Sequence, residues 1–599
     1  MFLPISKREL LDRKITTVDF VLITGDAYID HPSFGVAIIS RVLEAQGYTL
    51  AILAQPKWEI DDDFIQFGKP NLGFLITSGN LDSIVNNYTV SKRRRDKDSY
   101  SPGGKIGLRP DYAVTVYGNI VRRLFPNSPI ILGGIEASLR RLAHYDYLQN
   151  RLKKSILIDS QADIICYGMS DQIIVEVADA LKSGLKIADI IYLRGTVWKT
   201  KDRALLPTKH TLLPSYKEIN KDKLKYAESF DIQYNNTDAI NGDVLVESYD
   251  DCYVVQNQAA LPITREYLDW VYSLNYERNY HPIYTEPIPA IEEIKYSIAI
   301  NRGCMGSCSF CALTFHQGRI IQSRSKESVV DEAKRIINDK GFKGYIHDIG
   351  GPTANFYVRA CNTQEEFGAC KNKKCLSPTK CKNLIVSHKE YLEILRSVRG
   401  LDKVKKVFVR SGIRYDYLMY DKNDEFFEEL VQHHISGQLK VAPEHVSSRV
   451  LDYMQKPHFD LYEKFSKKYY EINQRFGKKQ FLVPYLMSSH PGCELSDAIE
   501  LAEYLHKNRI HVEQVQDFYP TPGTLSTCMY YTEVDPRTMK KIYVAKTGHE
   551  KALQRALMQY NKEKNYVLVK EALETANRKD LIGNNDKCLI KYKKTFNKY

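Results

Sequence analysis

The sequence predicts an α/β chain in two parts, a doubly wound parallel sheet followed by a partial (β/α)6 barrel. Three observations predict it. Apolar runs of strand length alternate with helix-period stretches from Val18 to about residue 200, and again between about residues 290 and 535. Glycine and proline stand at the ends of those runs, where turns and ligand-facing loops belong. The run YSIAI leads straight into residues 301–319, NRGCMGSCSFCALTFHQGR, which set Cys304, Cys308 and Cys311 as C-x3-C-x2-C at the end of a strand.

In the first part, VDFVLITGDAYIDHPSFG gives a strand and a turn, and VAIISRVLEAQGYTLAIL gives a helix and a second strand, with Gly47 where the helix stops. LGFLIT near Leu72, PIILGGIEAS from Pro129 and ADIICYG from Ala162 are further strands, the last followed by the helical SDQIIVEVADALKSG. The polar loop from Asn86 to Pro110 carries Arg93, Arg94 and Arg95, either as a solvated face or as charge for phosphates and carboxylates. Arg140 and Arg141 follow GGIEAS on what should be a helix N-terminus. From about residue 201 to 286 the rhythm weakens, and the tyrosine-rich stretch held extended by Pro282, Pro287 and Pro289 reads as a connector.

The second part offers six strands: YSIAI, GYIHDIGG, VKKVFVRSG, GQLKVAPEH, QFLVPYLMSSHPG and HVEQVQDFYPTPGT. A helix over residues 325–340, capped by Ser325, follows the cysteine loop. In such a barrel function collects at the strand C-termini. The cysteine loop lies at the first of them.

Three thiolates within eight residues, with Gly303 and Gly306 letting the backbone close around them, can face one iron–sulfur cluster and leave one iron open to an exogenous ligand. A zinc knuckle or three unrelated buried thiols are the alternatives, and structural zinc normally takes four ligands. With Phe310 just before the last cysteine, the motif resembles the signature of radical S-adenosylmethionine (radical SAM) enzymes, and most of the chain resembles the UPF0313 or YgiQ-type radical SAM proteins.

That resemblance implies a radical SAM barrel preceded by a cobalamin-binding-like domain. It implies a 4Fe-4S cluster on Cys304, Cys308 and Cys311 that binds S-adenosylmethionine. One electron, from a donor such as flavodoxin or ferredoxin, then gives methionine and a 5′-deoxyadenosyl radical that abstracts hydrogen from an unidentified substrate, with RNA and protein among the candidates. It implies that the backbone of Gly350 and Gly351 contacts the methionine amine, Pro352 standing where the family has an acid. Glu444 takes the ribose hydroxyls or the amine, or else is an acid at a helix N-terminus. Ser411, Arg414 and Arg449 are weaker candidates, the arginines for the carboxylate of S-adenosylmethionine. Cobalamin is not expected: the cobalamin-binding domains that the first part distantly resembles ligate cobalt through Asp-x-His-x-x-Gly, whereas Asp30 and His31 are adjacent before Gly35, and His31 reads as a turn residue beside Pro32.

Cys361, Cys370, Cys375 and Cys381 form a second group in a polar loop after the second strand. Four cysteines there point to a further iron–sulfur cluster or a structural zinc, with free thiols as the alternative, and C-x8-C-x4-C-x5-C is not a common zinc ribbon. Cysteines clustered in a long chain without an apolar leader imply a reducing, cytoplasmic setting. Hydrophobic residues make up 43% and the net charge is +12, a balance that permits an acidic or nucleic-acid partner without requiring one. The expected division is an N-terminal domain over 1–205, a connector over 206–288, the core over 289–560 with an insertion at 359–383, and a basic, solvated extension over 561–599. A redox-sensing protein without turnover is the alternative in function.

Overall fold

The computed structural model describes residues 1–592. Its N-terminal sheet is centred on five parallel strands: β1 (Phe20–Thr24), β2 (Leu50–Ala54), β3 (Gly73–Thr77), β4 (Ile130–Leu132) and β5 (Ile164–Cys166). They stand in the order β2-β1-β3-β4-β5. Nearly every residue in them is apolar and buried, as a parallel sheet covered on both faces requires. Phe20 and Leu22 pack with the helices α1 (Gly35–Ala45) and α4 (Asp171–Lys182), while Val21 and Ile23 pack on the other face with α2 (Ala113–Leu124). The short helix α3 (Gly134–Leu139) follows β4. The chain leaves β1 for β2 on one side and returns to β3 on the other, so the strand ends part between β1 and β3 and open a crevice there.

The sheet does not end near residue 205. Strands β6 (Thr196–Thr200), β7 (Thr211–Leu212), β8 (Leu245–Ser248) and β9 (Tyr253–Gln256) extend it in the order β7-β8-β9-β6-β5. Three of those pairings are antiparallel, and β8 and β9 join without a crossover helix, so the strand–helix rhythm is lost where the sheet continues. Part of the stretch read as a connector is therefore sheet. Arg140 is also placed differently: it caps the C-terminus of α3 and is buried between Asp82 and Asp146.

All six barrel strands are present, in chain order. They are β10 (Ser297–Ala299), a second strand split at His347 into β11 (Tyr345–Ile346) and β12 (Asp348–Gly350), then β13 (Lys406–Val407), β14 (Gln438–Glu444), β15 (Phe481–Ser488) and β16 (Gln516–Asp517). The ladders β10–β12, β11–β13, β14–β15 and β15–β16 are parallel. The C-terminal helices Gly548–Met558 and Tyr566–Thr575 close on the barrel, and Leu557, Leu573, Leu581 and Leu589 join its core. The extension is thus packed through about residue 590, because its scattered leucines find apolar partners, and its last residues, 593–599, lie outside the described residues. Among the described residues no helix is long and apolar enough to cross a membrane.

Candidate active site

The cysteine loop begins where β10 ends and is pinned at both flanks. Asn301–Arg302 pairs antiparallel with Gln322–Ser323, and Cys304 N–H donates to Gly318 O at 3.1 Å. Gly303 has φ +84°, and a Cβ there would lie 2.2 Å from Ile320 O, so the entry to the loop needs glycine. At its far side Ser309 N–H donates to Met454 O at 3.0 Å, and the Ser309 and Ser526 hydroxyls lie 2.8 Å apart. These ties join the loop to the helices that follow the fourth and sixth strands, Ser448–Met454 and Leu525–Thr532.

The structure brings the three thiols together. Burial, with Cys308 and Cys304 beside it, pushes the Cys311 thiol up to about 12, and burial next to Cys308 raises Cys304 as well. Ligation deprotonates such thiols, so it needs positive charge nearby. Arg414 supplies it, Nη1 donating to Cys308 Sγ at 3.5 Å. Cys304 Sγ lies 3.6 Å from Thr353 Oγ1. Phe310 stands edge-on to His490 at 6.1 Å. No three His, Cys, Asp or Glu side chains among the described residues close to the spacing of a single bound ion; a four-iron cluster spreads its thiolates wider than one ion does. The thiol set, the glycine turns and the cation fit a cluster held on three cysteines.

Gly351 runs hard against the loop, since a Cβ there would meet Asn301 Oδ1 at 1.8 Å. The Gly350 carbonyl accepts from Ile300 N–H at 2.8 Å, which leaves the Gly351 carbonyl the more open of the two. Ser411 faces Gly350, but its hydroxyl donates to Asp348, whose other oxygen accepts from Arg410 N–H at 2.7 Å. Glu444 ends β14 with φ +71°, a conformation that costs a non-glycine residue energy and recurs at functional sites. It is buried and takes no hydrogen bond from the described residues; burial raises its pKa against Lys456 and Arg414. The helix that follows runs Ser448–Met454 with Ser447 at its cap position, so Glu444 lies outside its first turn and is not its N-terminal acid. Arg449 points away, pairing at the surface with Glu494 and Asp497.

The second cysteine group lies on one insertion that packs against the first. The Cys375 thiol, raised chiefly by burial, feels Arg319 and the sulfurs of Cys361, Cys381 and Cys370. Cys381 N–H donates to Cys375 O at 2.9 Å. Arg319, the last residue of the cysteine loop, donates to Cys370 O and Lys373 O at 2.5 and 3.1 Å. Leu376 of the insertion and Leu384 just after it share one apolar cluster with Cys304 and Met305. Asn301, Arg302, Thr353 and Lys456 are the neighbours of the site that sequence reading passed over. The run N-R-G-C placed the first two beside the motif.

A six-strand partial barrel with a three-cysteine loop at its first strand end defines a radical SAM enzyme, a protein that works with a 4Fe-4S cluster and S-adenosylmethionine. Residues 298–521 match the Radical SAM superfamily model, 2–297 the Radical SAM N-terminal model, and 513–598 a Domain of unknown function (DUF3362). The chain belongs to the UPF0313 family: it is 58% identical to a UPF0313 protein of Clostridium botulinum (strain Kyoto) over 595 residues, 99% of this chain and 92% of that one. It is 56% identical to a UPF0313 protein of Clostridium perfringens (strain SM101) over 599 residues, 100% and 90% of the two chains. Among solved structures it is similar to the radical S-adenosylmethionine methyltransferase TsrM from Kitasatospora setae with cobalamin and a [4Fe-4S] cluster bound, at 12% identity and TM-score 0.47 over 94% of this chain and 100% of that one. It is also similar to the cobalamin-dependent S-adenosylmethionine radical enzyme OxsB, at 10% identity and TM-score 0.49 over 96% and 78%.

Proposed function

We propose that Cys304, Cys308 and Cys311 hold the 4Fe-4S cluster and that Gly351, Gly350 and Glu444 hold S-adenosylmethionine beside it. The observation that carries this reading is the set of three thiols on one pinned loop with the Arg414 guanidinium on Cys308. When bound, the cluster supplies the electron that cleaves S-adenosylmethionine reductively. The chain's own residues bind and orient: the Gly351 carbonyl accepts from the methionine amine, Glu444 accepts from the amine or the ribose hydroxyls, and Arg414 offsets thiolate charge. Ser411 acts through Gly350 and Asp348, holding the strand end in place. The barrel core over 289–560 carries these groups, and the N-terminal domain closes them from solvent.

The reading extends to a second metal on Cys361, Cys370, Cys375 and Cys381, an iron–sulfur cluster or a zinc, supported by the four cysteines on one insertion beside Arg319, which donates to Cys370 O; no three of their sulfurs close to the spacing of a single ion, which favours the cluster of the two. It includes an external one-electron donor of the flavodoxin or ferredoxin kind, a reducing cytoplasmic setting, and an RNA or protein substrate, for which the exposed Arg93, Arg94 and Arg95 are the support. Cobalamin, which the descriptions of both solved structures name for those proteins, is left out of the reading. What supports this is His31: it is buried, accepts from Ser33 N–H at 3.1 Å, and packs against the segment around Lys295.

Anaerobic reconstitution followed by dithionite and S-adenosylmethionine tests the proposal. Release of 5′-deoxyadenosine that disappears in Cys308→Ser is the expected result. An intact cluster with no cleavage under several reductants overturns it. Iron, sulfide and zinc per chain in Cys375→Ser decide the second site: metal content equal to wild type removes it from the reading.

A further inference from the structure

The third barrel strand carries two unlike faces. Val407 and Val409 are buried and share the apolar core with Leu392 and Val398 of the helix Lys389–Arg399. Between and beyond them Lys406 and Phe408 are half-buried and Arg410 is exposed. Residues that turn away from the helices of such a barrel point to its interior, so these three form an inward strip about 13 Å long. Phe408 continues the ladder with β11, donating to Ile346 O at 3.0 Å and accepting from Ile349 N–H at 3.1 Å. Tyr345, 43% exposed, stacks on Phe408 at 6.4 Å with the ring planes 9° apart. Lys406 Nζ and the Arg410 guanidinium lie 5.9 and 5.5 Å from the Phe408 ring centre. On β14 Lys440 stands out in the same way between the buried Leu439 and Val441.

The end of the barrel from which this strip starts is strongly basic. The segments that form or lead into β11, β13, β14 and β15, residues 340–347, 402–410, 437–440 and 477–481, hold nine lysines and arginines and one acid, Asp402. None of the nine forms an ion pair among the described residues. They make one surface. Tyr345 pairs in register with Lys406, and Gln438 with Phe481, which is 62% exposed. Across the gap between β13 and β14, His434 Nδ1 lies 2.9 Å from Val407 O. Burial and then Arg399 lower the neighbouring His433 ring, and Lys478 and Lys406 act in the same sense. At the other end of the strip Asp348, whose charge Arg410 feels, already accepts from the Ser411 hydroxyl and from the backbone N–H groups of Arg410 and Ser411.

We propose that this strip binds single-stranded nucleic acid, the RNA of the proposed reading. Phosphates lie on Lys406, Arg410 and Lys440, and bases stack on Tyr345 and Phe408. An acidic protein segment would use the cations and leave the exposed rings idle, whereas cations interleaved with rings serve both halves of a nucleotide. The strip ends at Ser411 beside Gly350, so a strand lying on it brings a nucleotide to the barrel mouth. That last step rests on the proposed site for S-adenosylmethionine; the binding itself does not.

The test is a fluorescence-anisotropy titration of the cluster-reconstituted full chain with a short labelled oligouridylate over a series of salt concentrations. Saturable binding is expected. With Lys406→Gln, Arg410→Gln and Lys440→Gln combined it should weaken at least about tenfold, and the slope against salt should fall by about 2. Phe408→Leu with Tyr345→Ser leaves the charge unchanged and is expected to weaken binding about fivefold or more. The same loss of charge at the exposed Lys57, Lys69 and Lys186 of the N-terminal domain, each to Gln, should leave affinity within about twofold. Circular dichroism and iron content accompany every variant, and the ring variant carries the decision if the charge variant does not fold. Absence of saturable binding, or equal losses in the two charge variants, overturns the proposal. Tighter binding of oligoglutamate than of oligouridylate assigns an acidic protein segment in place of RNA and overturns it as well. Since no cleavage is read, a failure here is distinct from a failure of the proposed radical SAM site.

Discussion

Arg414 donates through Nη1 to Cys308 Sγ at 3.5 Å while its Nε donates to Asp416 at 2.8 Å, so one buried guanidinium bridges the cysteine loop and a carboxylate of the third unit. A cation hydrogen-bonded to a ligating sulfur favours the reduced, more negative state of a cluster. Arg414→Met alone strands Asp416 and is expected to cost about 3–5 kcal/mol of stability. The double variant Arg414→Met with Asp416→Asn is expected to fold, retain its iron and show a more negative cluster potential by redox titration. A potential equal to wild type removes Arg414 from the tuning of the cluster.

Gly351 tests how closely the second strand end approaches the cysteine loop. A methyl group there meets Asn301 Oδ1 at 1.8 Å, whereas at Gly412 nothing lies within 4 Å. Gly351→Ala is expected to lose at least about 1–3 kcal/mol by overpacking and to weaken S-adenosylmethionine binding. Gly412→Ala is expected to change stability by less than about 0.5 kcal/mol. Paired denaturant melts and equilibrium dialysis read both, and equal behaviour of the two variants contradicts the assignment.

Glu444 is held in a left-handed conformation with its carboxylate free of hydrogen bonds from the described chain. Glu444→Gln keeps its shape and removes the charge. Loss of a charged hydrogen bond is worth about 1.5–3 kcal/mol, so S-adenosylmethionine should bind about ten to a hundred times more weakly while iron content stays at the wild-type level. Unchanged affinity in the dialysis assay would falsify the role given to this carboxylate.

Glu247, in β8 and far in sequence from the cysteine loop, makes the stability of the N-terminal domain depend on pH. Burial pushes its carboxyl up to about 7 although Tyr249 and Ala143 N–H donate to it. A carboxyl raised in the folded state holds a proton that the unfolded chain has released, so stability is full below the ordinary value of 4.5 and falls as pH rises towards 7. The loss approaches about 3 kcal/mol. Glu247→Gln is expected to flatten urea melts between pH 5 and 8, and a wild-type slope retained in the variant contradicts the assignment.

Much of this protein is written locally. The C-x3-C-x2-C loop, its glycines and the six barrel strands follow from residues a few positions apart, because strand period, turn geometry and ligand spacing are short-range properties of the chain. The antiparallel strands after residue 205 escaped that reading, since a hairpin edge lacks the strand–helix alternation that marks a parallel sheet.

The fate of the charges and hydroxyls was decided in three dimensions. Nothing near Arg414 in sequence says that it reaches Cys308, that Arg449 turns to the surface, or that the Ser411 hydroxyl is taken by Asp348. Arg302 is the clearest case: it adjoins the cysteine motif, yet its partner is Asp171, 131 positions away in the N-terminal domain. The sequence by itself determined that a three-cysteine loop ends the first barrel strand. Only tertiary structure decided which buried charges meet it, because a charge leaving water is held by whatever partner the fold brings to it, at any distance along the chain.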